Sequence, residues 1–388
     1  MRNRHEKPSK RDVITVSSAV SLGLVLALHG LADRQQEPTI PNNSDLATVE
    51  PYRFPLRVDL GLEEQVNLGD LNWTPDGHVS FLKDSNGNNN LWLAAGPDTY
   101  RIAAYSANLS AVEVEKPAVL QPTRQFSEKG YNGYAGFGSI INGVNANELI
   151  GFYHAEYWKG PQQHFPFNAA VGVAFSTDHG KSWKKESEVL TGNEPPTNPG
   201  DYGERVIGAG MPMALTRTID GKDYVYLYYV DWNTTLPDSI HLARTPVEAV
   251  VNPEAWEKYS SNGFVAAKEA KSTPVISPSE GDVYTSVPSI SYNDYLGKYL
   301  AVFETNVGFK WSPSKDSLKW DKPQLLVQFP NPQFPIIKGN TWFSYPSYLS
   351  FDKSRDQETG QNGVLIYSRG IRSGKSHQMV YRPMILQK

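Results

Sequence analysis

Four segments of the chain end an apolar, aromatic run on a charged side chain: Tyr153-His154-Ala155-Glu156-Tyr157-Trp158, Tyr229-Val230-Asp231-Trp232, Phe303-Glu304-Thr305-Asn306 and Tyr367-Ser368-Arg369. Carboxyl groups brought together sort themselves chemically, because burial and like-charge repulsion raise the pKa of one while its neighbour stays ionised. Such a pair offers a proton donor beside an anion, which is the equipment of general acid/base or nucleophilic catalysis. Glu156, Asp231 and Glu304 are therefore the expected catalytic carboxylates. Arg369 would favour the ionised form of a neighbour or hold a substrate hydroxyl or carboxylate. Tyr157, Trp158 and Trp232 offer apolar ring faces to a ligand. His154 reads as an ordering or ligand-binding residue, since no second His stands at metal-ligand spacing, and neither a metal nor a cofactor is expected. The plainer reading of each carboxylate is a loop residue in an ordinary salt bridge, and only the fold decides between the two.

The elements that must position these residues recur along the chain. A strand ending in a polar turn ends at Ser106, Ser176, Arg244, Ser314 and Arg382, at spacings of 70, 68, 70 and 68 residues. Upstream of each marker stands a second apolar run, Asn90–Ala94, Leu149–Tyr153, Tyr224–Tyr229, Tyr299–Phe303 and Val364–Tyr367. Before several of those come small-residue strands such as Gly136–Ile140, Gly208–Pro212 and Ser286–Ile290, suited to a crowded centre. A period near seventy suits a four-stranded antiparallel unit with long loops, and radial closure of five units removes exposed sheet edges. The expected fold is all-β, a five-bladed β-propeller over residues 51–388, with a two-sheet sandwich as the competing arrangement. In a propeller, second-strand ends and inner-strand starts share one face. That adds Asp70, Asp76, Glu204, Arg205 and Asp282 to the candidates, Glu204 and Arg205 as ligand-binding residues.

Ser176-Thr177-Asp178-His179-Gly180-Lys181-Ser182-Trp183 resembles the Asp box of sialidases and other glycan-directed propellers, and Ser314-Lys315-Asp316-Ser317-Leu318-Lys319-Trp320 resembles its shortened form. That motif is a turn in which Asp caps backbone N–H groups and Gly takes positive φ. With five repeats, the chain resembles the five-bladed glycosidases that include arabinanases, β-xylosidases and invertases. The resemblance implies a central pocket whose acidic residues work on a glycosidic bond, with a blade-one Asp, assigned to Asp70, as base. The expected function is hydrolysis of an oligo- or polysaccharide by carboxylate acid/base catalysis. The alternative is a non-catalytic, lectin-like propeller. A sialidase would need three Arg around a carboxylate, and only Arg205 and Arg369 stand at suitable places.

Bulk properties narrow the partners. The 388 residues are 12% aromatic, with 31 Gly and 28 Pro, as turn-rich β proteins are. A formal charge of -4 gives no basic field for nucleic acid, and zero Cys removes disulfides and thiolate chemistry. A carbohydrate partner and a monomer are expected. Arg2, Arg4, Lys7, Lys10 and Arg11 precede an apolar run from Val13 to Leu31. Residues 1–32 therefore read as an export signal or an N-terminal anchor, and 33–50 as a flexible linker. The expected location is outside the cytoplasm: periplasmic, extracellular or membrane-anchored, with membrane attachment only through the N-terminal segment.

Overall fold

The computed structural model describes residues 57–106, 109–145, 147–195, 197–268, 271–372 and 377–388. The expected export segment and linker, residues 1–50, and Ala107 and Asn108 lie outside the described residues.

The chain is all-β, with 3₁₀ turns at Val247–Ala249 and Pro253–Ala255. Strands β1 (Arg57–Leu60) and β2 (Glu64–Gln65) precede a four-stranded antiparallel meander of β3 (Ser80–Lys83), β4 (Asn89–Ala95), β5 (Asp98–Ala104) and β6 (Val112–Val114). A second meander follows, with β7 (Tyr134–Asn142), β8 (Leu149–Tyr157), β9 (Asn168–Ser176) and β10 (Lys184–Thr191). The third contains β11 (Ile207–Ile219), β12 (Lys222–Trp232), β13 (Ser239–Pro246), β14 (Glu257–Ser260) and β15 (Gly263–Ala266). A short parallel pairing, Ile207 with Asn168 and Gly208 with Ala169, joins the second and third meanders into one nine-stranded sheet. The fourth is β16 (Thr285–Asn293), β17 (Lys298–Thr305), β18 (Gly308–Ser314) and β19 (Gln324–Gln328). Then come β20 (Thr341–Leu349), β21 (Glu358–Thr359), β22 (Asn362–Ile371) and β23 (His377–Gln387), with β21 pairing back onto β16. The outer strand beside β23 is β1, from the other end of the described chain.

Apolar side chains fill the spaces between successive meanders. Trp92 packs with Phe137 and Tyr153, Phe152 with Leu227 and Tyr229, Tyr228 with Ile290 and Phe303, and Val302 with Leu365 and Tyr367. A further cluster joins the first meander to the last, Phe81 and Leu93 against Ile366, Met379 and Tyr381. Truncating a wholly buried ring such as Phe152 to Ala costs about 3–5 kcal/mol, transfer and cavity together.

Strands β7, β11, β16 and β20 break register at one equivalent place, between Phe137 and Ser139, Gly210 and Met213, Ser286 and Ser289, and Ser344 and Ser347. At three of these bulges a side-chain-bearing residue takes positive φ: Met211 at 52°, Val287 at 47° and Tyr345 at 59°. Such backbone costs about 1–3 kcal/mol per residue and persists only where surrounding packing dictates it. Here the packing is an aromatic cluster, with Met211, Val287 and Tyr345 among Phe167, Trp232 and Trp342. The bulges re-aim these side chains toward the end of the strands where the charged residues stand.

The opposite end is closed by turns. Asp178 accepts hydrogen bonds from the Lys181 and Ser182 N–H groups at 3.1 and 2.9 Å, while Gly180 and His179 hold φ of 77° and 62°. Asp316 accepts likewise from the Leu318 and Lys319 N–H groups.

Candidate active site

The second strands run further than their apolar runs, so Glu156, Asp231, Glu304 and Arg369 all lie within strands, opposite Tyr134, Ala209, Ser286 and Phe343. The bulges show that these positions are not equivalent. The pairs directly before the break are Gly210 with Val230, Ser286 with Glu304 and Ser344 with Ser368. Asp231 and Arg369 therefore stand one residue beyond Glu304's place, and a one-residue step along a strand turns a side chain to the opposite face.

The consequences are visible in the contacts. Asp231 shares its face with Tyr229 and is wholly buried, accepting the Asn193 N–H at 2.9 Å, with Lys258 nearby. Asn193 in turn accepts from Ser272, which also bonds His241 and Tyr229. Asp231 is thus the anchor of the loop after β10 and has no access to a ligand. Burial lifts its carboxyl to about 7 despite Lys258, the Asn193 N–H and Asn233. Arg369 points outward and pairs with Glu63, an exposed contact away from the other carboxylates. Asp70 is likewise at the surface, in a 2.5 Å ion pair with Lys116. Trp232 is buried in the aromatic cluster and offers no ring face to a ligand. Glu204 is exposed, Arg205 donates to the Thr234 carbonyl at 2.7 Å and Asp282 is paired with Lys310.

What the fold does assemble is Asp76, Glu156 and Glu304, each with its own set of donors. Asp76 lies just ahead of β3, fixed by its N–H bond to the Ala94 carbonyl at 3.0 Å. It is the one of the three that is only partly buried. Burial of its carboxyl and the nearby charge of Glu156 raise it to about 6, against the pull of the Tyr345 and Tyr134 hydroxyls and His164. Glu156 is 3% exposed and bonded on both oxygens. Oε1 lies 3.0 Å from His154 Nε2; Oε2 accepts the Trp158 indole N–H and lies 3.2 Å from His164 Nε2. Burial opposes its charge, but the two imidazoles outweigh it and hold the carboxyl down to about 2. Glu304 is wholly buried, accepting the Tyr284 hydroxyl at 2.8 Å and the Ser344 hydroxyl, with Arg372 nearby. Burial carries it to about 7 in spite of those partners. Tyr345 links the three, since its hydroxyl is raised well above the ordinary tyrosine value by burial and by the charges of Asp76, Glu304 and Glu156.

An aromatic wall stands beside this group. Trp158 lies against the backbone of Gly133, where any Cβ would strike its ring. Phe126 stacks 6.2 Å from it, and the Trp158 N–H donates to the Asn132 side-chain oxygen. Tyr157, half-buried, alternates to the opposite face. Among the described residues no set of three or more His, Cys, Asp or Glu side chains has the arrangement of a metal site.

Asp76, and not the expected Asp70, carries its carboxyl among Tyr345, Tyr134, His164 and Glu156, while Asp70 is tied to Lys116 at the surface. His164, Tyr134, Tyr284, Tyr345 and Arg372 join the site without a sequence pattern that marks them as acidic or basic partners. The repeated Pro-Ser after a bulky residue, in Val287-Pro288-Ser289 and Tyr345-Pro346-Ser347, is the signal that marks Tyr345.

No protein-family model matches the sequence, and no curated protein matches it. Solved structures similar to the chain include an α-L-arabinofuranosidase from Lactobacillus brevis, at 10% identity and a TM-score of 0.47, covering 78% of this chain and 88% of that one. An endo-arabinase from Bacteroides thetaiotaomicron matches at 12% identity and 0.43, covering 82% and 96%. The catalytic domain of a GH62 α-L-arabinofuranosidase from Coprinopsis cinerea matches at 11% and 0.45, covering 85% and 97%. At such identities and scores the functional reading rests on this chain's own side chains.

Proposed function

We propose that the chain is a five-bladed β-propeller glycoside hydrolase, with four-stranded antiparallel blades, acting on an oligo- or polysaccharide through Asp76 and Glu156. Five apolar clusters between successive meanders, the last joining β3–β5 to β20–β23, support the closed ring. One observation carries the functional reading: the Asp76 and Glu156 carboxyls, from successive meanders, lie close enough to feel each other's charge, in surroundings that push their proton affinities apart, and Glu156 is bonded to the Trp158 indole.

In this reading Asp76 in its protonated form gives its proton to the glycosidic oxygen as the bond to the anomeric carbon breaks. Glu156, held ionised, takes the proton of the attacking water or itself bonds the anomeric carbon, and water restores both groups. Glu304 is too buried to reach the sugar; it holds Tyr345 in place through the bond from the Tyr345 N–H at 3.4 Å. Trp158 borders the seat of the sugar with the part of its ring that Gly133, Phe126 and His164 leave uncovered. His154 orders Glu156. The reading of residues 1–50 as export signal and linker belongs to the same proposal and places the substrate outside the cytoplasm.

The test is a screen of the purified protein on aryl glycosides and plant or bacterial polysaccharides, with Glu156→Gln alongside. Product release by the wild type that falls at least about 10²-fold in the variant supports the assignment. Glycan binding with no product from either protein would favour the lectin-like alternative.

A further inference from the structure

We infer that His164, on the loop between β8 and β9, is the positioning residue that keeps Glu156 aimed and ionised, and so sets the acidic edge of the working pH range. The inference rests on the glycosidase reading for its catalytic consequence and on geometry for the pairing itself. His164 Nε2 lies 3.2 Å from Glu156 Oε2, an ion-pair contact without hydrogen-bond geometry, on the oxygen that also accepts the Trp158 indole. Its ring contacts two aromatics, stacked 5.4 Å from Phe167 at an interplanar angle of 9° and tilted 4.5 Å from Trp158. The imidazole cannot swing away from the carboxylate without losing its stack on Phe167 and its tilted contact with Trp158. A quarter of the His164 side chain remains exposed, so the ring can exchange protons with solvent, although Nε2 itself is sealed against Glu156.

The charged groups that face it are Glu156 from β8 and Asp76 from the segment before β3. Burial opposes its charge, but both carboxyl groups favour it, so its proton is held more tightly than in a free histidine. His154 occupies the other oxygen and is far more buried, its Nδ1 without a partner. The two imidazoles thus divide the work: His154 fixes the carboxylate from within the sheet, and His164 supplies a charge from a loop that solvent can titrate. Trp158 is held by the same carboxylate oxygen.

Two measurements decide the matter. In His164→Phe, which keeps the ring between Trp158 and Phe167 but removes the charge, the ¹³C resonance of the Glu156 carboxyl, assigned by its loss in Glu156→Gln, is expected to titrate at least one pH unit higher than in the wild type. The acidic limb of kcat/KM should move up with it, while KM for a neutral aryl glycoside changes less than twofold. His164→Gln, a smaller polar replacement, should give the same shift. An unchanged Glu156 titration in both variants would overturn the inference. An inactive wild type whose Glu156 still shifts would defeat the glycosidase reading and leave the pairing standing.

Discussion

Asp231 stands at the place where a sequence reader expects a catalytic carboxylate, and replacing it by Asn separates the two accounts of what it does. The folded protein holds the Asp231 proton up to about pH 7, against an ordinary value of 3.8, chiefly because burial penalises the charge. An unfolded chain gives that proton up near pH 4, so between about pH 4 and pH 7 the native state binds more protons and loses stability as pH rises. The difference of about three pH units, at about 1.4 kcal/mol each, makes the ionised side chain cost about 4 kcal/mol above pH 7. Asn cannot ionise, and its carbonyl oxygen can still accept the Asn193 N–H. Urea unfolding of the wild type and Asp231→Asn at pH 4 and pH 8 reads the difference. The variant should gain roughly 4 kcal/mol on the wild type in passing from the lower to the higher pH. Asp238, raised to about 7 by burial and by the charge of Asp231, titrates in the same window and leaves a residual slope in both proteins. A stability difference identical at the two pH values would refute the reasoning.

The structure makes three more predictions. Gly210→Ala places a Cβ against the His154 and Trp232 rings, so it should displace His154 from Glu156 and lower kcat on a glycoside substrate by 10-fold or more, measured against the wild type at equal folded fraction. Asp178→Ala removes the acceptor of the Lys181 and Ser182 N–H groups and should cost about 1–3 kcal/mol in urea unfolding at neutral pH. Because Asp178 is held down to about 2 in the fold, burial being outweighed by those bonds, the cost should shrink as pH falls through about 4 toward 2. Finally, kcat/KM should trace a bell whose basic limb follows loss of the Asp76 proton near pH 6 and whose acidic limb follows protonation of Glu156 near pH 2.

Much of the strand order was legible in the sequence, because a regular period of apolar and turn residues is a backbone signal. Phe309–Ser314 lies in β18 and Ile240–Arg244 in β13, at the places the spacing assigned. The register of the functional end was not legible. It depends on bulges at Met211, Val287 and Tyr345, whose positive φ reflects tertiary packing against Phe167 and Trp342. Without the bulges, Asp231 and Glu304 look alike; with them, the two residues face opposite sides of their sheets. Asp70 and Asp76 differ by an interaction 46 residues away, the Lys116 ammonium that ties Asp70 to the surface. His164 stands in a loop with no period to mark it, and its relation to Glu156 exists only once Trp158 and Phe167 have closed on its ring.

If Asp76 and Glu156 do the chemistry and Asp231 does not, turnover of one hydrolysed glycoside by Asp76→Asn and Asp231→Asn, side by side, separates the two roles. Asp76→Asn should lose at least about 10²-fold, and Asp231→Asn should stay within about threefold of the wild type. The reverse order, with Asp231→Asn inactive while folded and Asp76→Asn unimpaired, would contradict that assignment of roles.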